Sequence, residues 1–145
     1  GNGEIKIVAI HVENAAGTPV EVLHTGESYR FVLSYRKQPD QARKNVTVAL
    51  AFRDNLDFRL TRMFSEEQNI SFDDLPDEGQ LVCEIDRFPL AQGQYAMATT
   101  LLVNGEQADY IREAASFRVR LGDYYGMGHL SGKGPIFIPH TWRSE

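Results

Sequence analysis

Arginine supplies eleven of the fifteen cationic side chains in this 145-residue chain. Its planar guanidinium makes paired hydrogen bonds to hydroxyls and carboxylates, while its flat side packs on rings. Arg30, Arg36, Arg53, Arg59 and Arg118 each lie in a segment of alternating apolar and polar residues, on the side opposite the apolar set. With Ser34, Thr61 and Tyr110, and with Thr47, Gln94 and Thr100 beside them, they can line a shallow groove of donors and acceptors suited to a neutral polysaccharide. The competing reading is simpler: a sheet must face water on one side, and outward arginines serve that purpose.

Other chemistries find less support. His11, His24, His129 and His140 are scattered over strand, turn and tail, whereas a metal site needs at least three convergent ligands. No metal and no cofactor is therefore assigned. Glu66, Glu67, Asp73, Asp74, Asp77 and Glu78 crowd one loop but lack the acid and glycine spacing of a calcium loop. Glycoside cleavage would need two carboxylates fixed across a cleft, which a surface loop seldom supplies. No Ser or Cys sits in a nucleophile turn, so no catalytic residue is assigned and the domain is not expected to be an enzyme. Asn45-Val46-Thr47 and Asn69-Ile70-Ser71 match the glycosylation acceptor pattern, which has meaning only in a secreted protein.

Composition narrows the class further. The net charge of −5 argues against a general binder of nucleic-acid backbones. The single Cys83 excludes an intramolecular disulfide, and alternation through Leu81-Val82-Cys83-Glu84-Ile85 points it inward as a buried thiol in a reducing compartment. No window approaches the roughly 18 apolar residues of a membrane span, and the first residues show no basic-then-apolar leader. If Gly1-Asn2-Gly3 is a cloning remnant, the chain is one domain of a longer protein.

The elements that must position these residues are strands. Alternation marks Ile5 to Val12, Val20 to Leu23, Ser28 to Arg36, Val46 to Arg53, Phe58 to Phe64, Gln80 to Arg87 and Gln94 to Val103. Tyr29, Phe31, Leu33 and Tyr35 share one face, and Arg30, Val32, Ser34 and Arg36 the other. Asn104-Gly105 is a strong hairpin signal, with Glu106 to Ala108 pairing back. Asp109 to Ala115 reads as a connection with some helical character, and Ser116 to Leu121 as the last strand. Ser65 to Glu78 reads as an acidic insertion holding a single helical turn at most. The fold class is all-β: an immunoglobulin-like or jelly-roll sandwich of two antiparallel sheets.

Two segments follow from this, 1–121 as the sandwich and 122–145 as a glycine-rich hinge with a terminal strand. Gly126, Gly128, Gly132 and Gly134 loosen the hinge, and Pro135 and Pro139 bound an apolar stretch. Tyr124, Tyr125, Ile136, Phe137, Ile138 and Trp142 are expected to be covered, by pairing or by exchange of the strand in a dimer.

An ordered set of motifs resembles the carboxy-terminal domain of Wzt, the ATPase subunit of transporters that export O-antigen polysaccharide. The set comprises Gly26-Glu27, Leu90-Ala91-Gln92-Gly93-Gln94-Tyr95, Phe117-Arg118-Val119, Asp123-Tyr124-Tyr125-Gly126-Met127-Gly128 and Pro139-His140-Thr141-Trp142. The resemblance implies a domain that recognises lipid-linked O-polysaccharide and couples it to export. Implied with it are a homodimer formed by exchange of the last strand, an upstream nucleotide-binding domain, a membrane permease partner, and a place at the cytoplasmic face of the bacterial inner membrane. A sandwich that only mediates dimerisation, without binding sugar, is the alternative.

Overall fold

Period-two alternation becomes nine β-strands in the computed structural model of the chain, which describes residues 2–130 and 132–145. In order they are β1 (Ile5–Asn14), β2 (Pro19–Val20), β3 (Val22–His24), β4 (Tyr29–Lys37), β5 (Val46–Arg53), β6 (Arg59–Phe64), β7 (Glu78–Ile85), β8 (Gly93–Val103) and β9 (Glu106–Arg120). A 3-10 turn at Ser65–Gln68 is the one helical element among the described residues. The strands form a four-stranded sheet in the order β2-β1-β4-β7 and a five-stranded sheet in the order β3-β9-β8-β5-β6. This is the expected sandwich, and only β3 beside β9 pairs in parallel.

The inward faces interlock around aromatic rings. Phe31 of β4, Phe52 of β5, Phe117 of β9 and Phe88, which precedes β8, are all buried. Their ring centroids lie between 5.3 and 6.2 Å apart. Tilted and edge-on contacts at such distances add to the burial of apolar area that drives the two sheets together.

Three local expectations are corrected. Asp109 to Ala115 is not a connection, because β9 runs unbroken from Glu106 to Arg120. Met97 pairs with Ala115 and Thr99 with Ile111, so residues 112–114 bulge opposite Ala98 alone and interrupt the alternation. The helix-favouring Arg-Glu-Ala-Ala composition is overridden by pairing with β8. Val20 to Leu23 is two strands, β2 and β3, which belong to different sheets. Cys83 is half-buried rather than fully enclosed; burial pushes its thiol pKa up, and its Sγ lies 4.0 Å from Met63 Sδ.

No strand follows Arg120 among the described residues, and the expected terminal strand is reduced to one bridge between Leu90 and Ile136. Two hydrogen bonds hold it, Ala91 N–H to Pro135 O at 3.0 Å and Phe137 N–H to Pro89 O at 2.8 Å. Phe137 is buried with its ring 5.2 Å from that of Tyr124, whereas Ile136, Ile138 and Trp142 stand in solvent, the last 91% exposed. The tail is therefore covered at Phe137 and open beyond it.

The path into the tail is set by close backbone packing. Gly26 has φ +90°, and a Cβ there would meet Tyr124 Cα at 2.8 Å; a Cβ on Gly122 would meet Thr25 O at 2.2 Å. Thr25 N–H bonds Arg120 O, Thr25 Oγ1 donates to Leu90 O, and Gly26 N–H bonds Phe88 O. Three separate stretches, around Thr25, Phe88 and Gly122, thus meet at one end of the sandwich.

Candidate functional site

The arginines singled out in the sequence are divided between two opposite faces. Arg30, Ser34 and Arg36 lie on β4, on the outer side of the four-stranded sheet, because Phe31, Leu33 and Tyr35 fill its inner side. Arg53, Arg59, Tyr110 and Arg118 lie on the outer side of the five-stranded sheet. Thr61 differs from expectation: it pairs with Phe52 and so shares the inward side of the edge strand, half-buried. A register shift between Phe52 and Arg53 puts Arg59, Arg62 and Phe64 outward instead. One groove cannot hold all eight residues.

The two faces also differ in how their charges are spent. On the four-stranded sheet, Arg30 contacts Glu13 at 3.1 Å and Glu84 at 3.6 Å, and Arg36 contacts Glu78 at 3.1 Å. Both guanidiniums are already engaged by cross-strand carboxylates. On the five-stranded sheet, Arg59, Arg62 and Arg118 have no ion-pair partner among the described residues. Arg62 is stacked on Phe64 instead, its Cζ 4.3 Å from the ring centroid. Stacking orients the guanidinium and leaves its N–H edge free.

Between these residues the surface of the five-stranded sheet is stripped of bulk. Thr47, Ala49 and Ala51 of β5 and Ala98 of β8 face outward yet are buried, because taller neighbours shade them. Arg62 and Phe64 of β6 pair with Ala51 and Ala49 on one flank, and Tyr110 of β9 pairs with Thr100 on the other. At one end the side chain of Arg53, only 10% exposed, reaches across β8. Its Nη2 donates to Arg112 O at 2.6 Å in the bulge of β9, and its Nε donates to Asp57 Oδ1 at 2.9 Å. Asp57 Oδ2 accepts from Arg112 Nη2. The hydrogen bond from Arg112, helped by Arg53, holds the Asp57 carboxyl below the usual carboxylate range. The result is a recess with a small-residue floor, an Arg-on-Phe flank, a tyrosine flank and a charged clasp at one end.

The motifs that carried the resemblance lie elsewhere, at the end where the tail docks. Tyr95 stacks on Phe117 at 5.6 Å and donates its hydroxyl to Ala91 O at 2.6 Å. Asp123 accepts hydrogen bonds from the N–H groups of Gly126, Met127 and Gly128, and Arg87 lies over the ring of Tyr124 at 4.1 Å. The family model described as the Wzt C-terminal domain matches residues 1–130. The chain belongs to the Wzt C-terminal domain family. Against solved structures, this Wzt domain is similar to the crystal structure of the C-terminal domain of Wzt, with 16% identity, a TM-score of 0.71, and coverage of 100% of this chain and 86% of that one. The fold is therefore shared. A DNA-bound alkylpurine DNA glycosylase AlkC from Pseudomonas fluorescens aligns over 81% of this chain and 31% of its own, with 17% identity and a TM-score of 0.44. A CARDB domain from Pyrococcus furiosus aligns over 79% of this chain and 86% of its own, with 9% identity and a TM-score of 0.43; likenesses this low carry no argument. No curated protein sequence matches the chain significantly.

A second concavity of about 460 Å³ opens between the edge strands β6 and β7, lined by Leu50, Met63 and Leu81 and also by Arg62, Glu67 and Glu84. Its lining mixes apolar and charged side chains, and it shares Arg62 and Phe64 with the flank of the recess. Sequence reasoning missed both this cleft and the recess residues Arg62, Phe64, Asp57 and Arg112. Arg62 was hidden by the bulge that reverses the faces of β6, and Arg112 by the apparent helical character of its segment. The pairing of Arg62 with Phe64 two residues on, a stacked couple at strand spacing, was the available signal.

Proposed function

We propose that this Wzt C-terminal domain recognises O-antigen polysaccharide without transforming it, through the outer face of the five-stranded sheet. The observation that carries the reading is the outer face itself: over a layer of small, shaded residues stand guanidiniums with no ion-pair partner among the described residues and the exposed ring of Tyr110, donors and acceptors for sugar hydroxyls. Family membership supplies the export context. In that context the domain follows an ATPase domain, works with a membrane permease at the cytoplasmic face of the inner membrane, and links glycan capture to transport. Two copies pair by exchange of residues 122–145, a reading supported by the exposure of Ile136, Ile138 and Trp142 in the single chain. Paired presentation would raise a modest per-site affinity by effective concentration.

Titration of the purified chain with the cognate O-polysaccharide, followed by calorimetry and by NMR shifts on β5, β6, β8 and β9, tests the reading. Binding that is weakened in Arg118→Ala and kept in Arg36→Ala is expected. Shifts confined to β1, β4 and β7, or no binding to any polysaccharide of a broad panel, would end it.

A further inference from the structure

The face that carries the recess is basic in an acidic protein. With Arg53 and Arg112 at the clasp, Arg59 and Arg62 on β6, and Arg118 and Arg120 on β9, it gathers six arginines, of which only Arg53 and Arg112 meet a carboxylate, that of Asp57, among the described residues, in a chain whose net charge is −5. The opposite face shows that this is not a general property of the fold, since its two arginines are each matched by glutamates. Four of the six, Arg59, Arg62, Arg118 and Arg120, have no carboxylate within ion-pair distance among the described residues. A surface that pairs its arginines with carboxylates on one side and leaves most of them open on the other is arranged for an anion on the open side.

The protein also displays how this face treats a carboxylate. Asp57, projecting from the β5–β6 turn, has one oxygen on Arg53 and the other on Arg112, a shared two-arginine embrace at the edge of the recess. Arg62, held flat by Phe64, presents a comparable fork on the neighbouring flank with nothing in it.

We infer that the glycan read by this face is anionic, a polysaccharide whose repeating unit carries carboxylate groups such as uronic acids, rather than a neutral polymer. This rests on the glycan reading above and narrows its substrate class. The arginine forks would take the acid groups, and the threonines and Tyr110 the hydroxyls.

The test compares a hexameric oligogalacturonate with the same hexamer after reduction of its carboxyl groups to primary alcohols. A phosphorylated mannan fragment and a single-stranded oligonucleotide of equal charge are run alongside. The acid form is expected to bind at least about tenfold more tightly than its reduced form, as one charge-assisted fork implies, and to weaken steeply when salt rises from 50 to 500 mM, conditions chosen by the experiment. Arg62→Ala and Arg118→Ala should each cost about tenfold. Arg62→Lys and Arg118→Lys, which keep charge but lose the fork, should fall between, and Arg36→Ala should change little. Equal binding of acid and reduced forms would overturn the anionic preference and leave the glycan reading standing. Absence of binding to the acid form while neutral polysaccharides bind would do the same. Preference for the phosphorylated fragment would move the anion from carboxylate to phosphate and overturn the uronic-acid assignment. Tightest binding to the oligonucleotide would replace carbohydrate by nucleic acid altogether.

Discussion

Arg53 and Asp57 meet at 2.9 Å across the β5–β6 turn, and through Arg112 they tie the edge hairpin to the bulge of β9. The two partners do not contribute equally. Arg53 is nearly enclosed and its loss leaves the Arg112 carbonyl without its donor, so Arg53→Ala is expected to lower stability by about 1–3 kcal/mol in urea unfolding. Asp57→Asn acts on an exposed, solvent-screened pair and should cost clearly less than Arg53→Ala. An equal or larger loss from the Asp57 change would show that the clasp is organised from the turn and not from β5.

Asp57 and Asp123 both have carboxyl pKa values held below the ordinary one, the first by Arg112 and Arg53, the second chiefly by the Gly128 N–H with those of Met127 and Gly126. A depressed carboxyl stabilises the fold only while it is ionised. Its contribution is present above the unfolded value near pH 4 and is lost as pH falls through the lowered folded value. Acid titration of Asp123→Asn against the native chain, followed by circular dichroism, should give a shallower loss of stability below that point in the variant. Identical acid limbs would contradict the role given to Asp123.

At the alkaline end the group to watch is Tyr29, whose hydroxyl accepts from His24 N–H at 2.7 Å and donates to Glu27 at 3.0 Å. Burial, foremost, pushes its pKa up to about 12. Folding then favours the neutral phenol, so stability is fully present below the ordinary value near pH 10 and is lost as pH rises toward the folded one. Tyr29→Phe should melt lower at neutral pH, by about 1–2 kcal/mol of stability, and should lose less between pH 10 and 12 than the native chain does.

Thr99 is the described residue whose buried side-chain oxygen finds no partner; it faces inward opposite Leu50 and Ile111. Replacing an unpaired buried hydroxyl by a methyl of the same shape removes a desolvation cost. Thr99→Val is therefore expected to raise stability by about 1 kcal/mol, read as a higher urea midpoint at unchanged slope. A drop would mean that the hydroxyl has a partner that the single chain does not display.

Gly122→Ala would drive a methyl into Thr25 O at 2.2 Å, backbone that cannot step aside. A loss above about 2 kcal/mol, or failure to fold, is expected. Gly134→Ala, with its nearest neighbour 3.9 Å away, serves as control and should stay within about 1 kcal/mol. Phe137→Ala completes the set for the tail. Hydrogen exchange should rise over the backbone near Leu90 and beyond Gly122 while β4, β5 and β8 keep their protection.

The sandwich was legible because Tyr29 to Lys37 and Val46 to Arg53 alternate without interruption, and because Asn104 and Gly105, both at positive φ, announce the β8–β9 turn. What escaped was set by register. The bulge opposite Ala98 disguised the middle of β9, and the shift at Arg53 turned Thr61 inward and Arg62 outward. Which outward residues share a sheet is a property of strand order, and strand order is not written in local pattern, so Arg30 and Arg118 looked alike until the sheets separated them. The family motifs were easier to see for a different reason. Gly26, Leu90, Tyr95, Phe117 and Asp123 build the junction beneath the tail, where backbone crowding leaves few alternatives in residue type.

The alanine floor has a consequence for how recognition can change in proteins of this shape. Ala49, Ala51 and Ala98 face away from the phenylalanine core, so a larger residue at any of them pushes on the outer side chains that shade it and reshapes that surface, while the packing between the two sheets is left alone. In the proposed glycan-binding role, preference among polymers can drift through this outer layer one side chain at a time, with the frame beneath it left as it is.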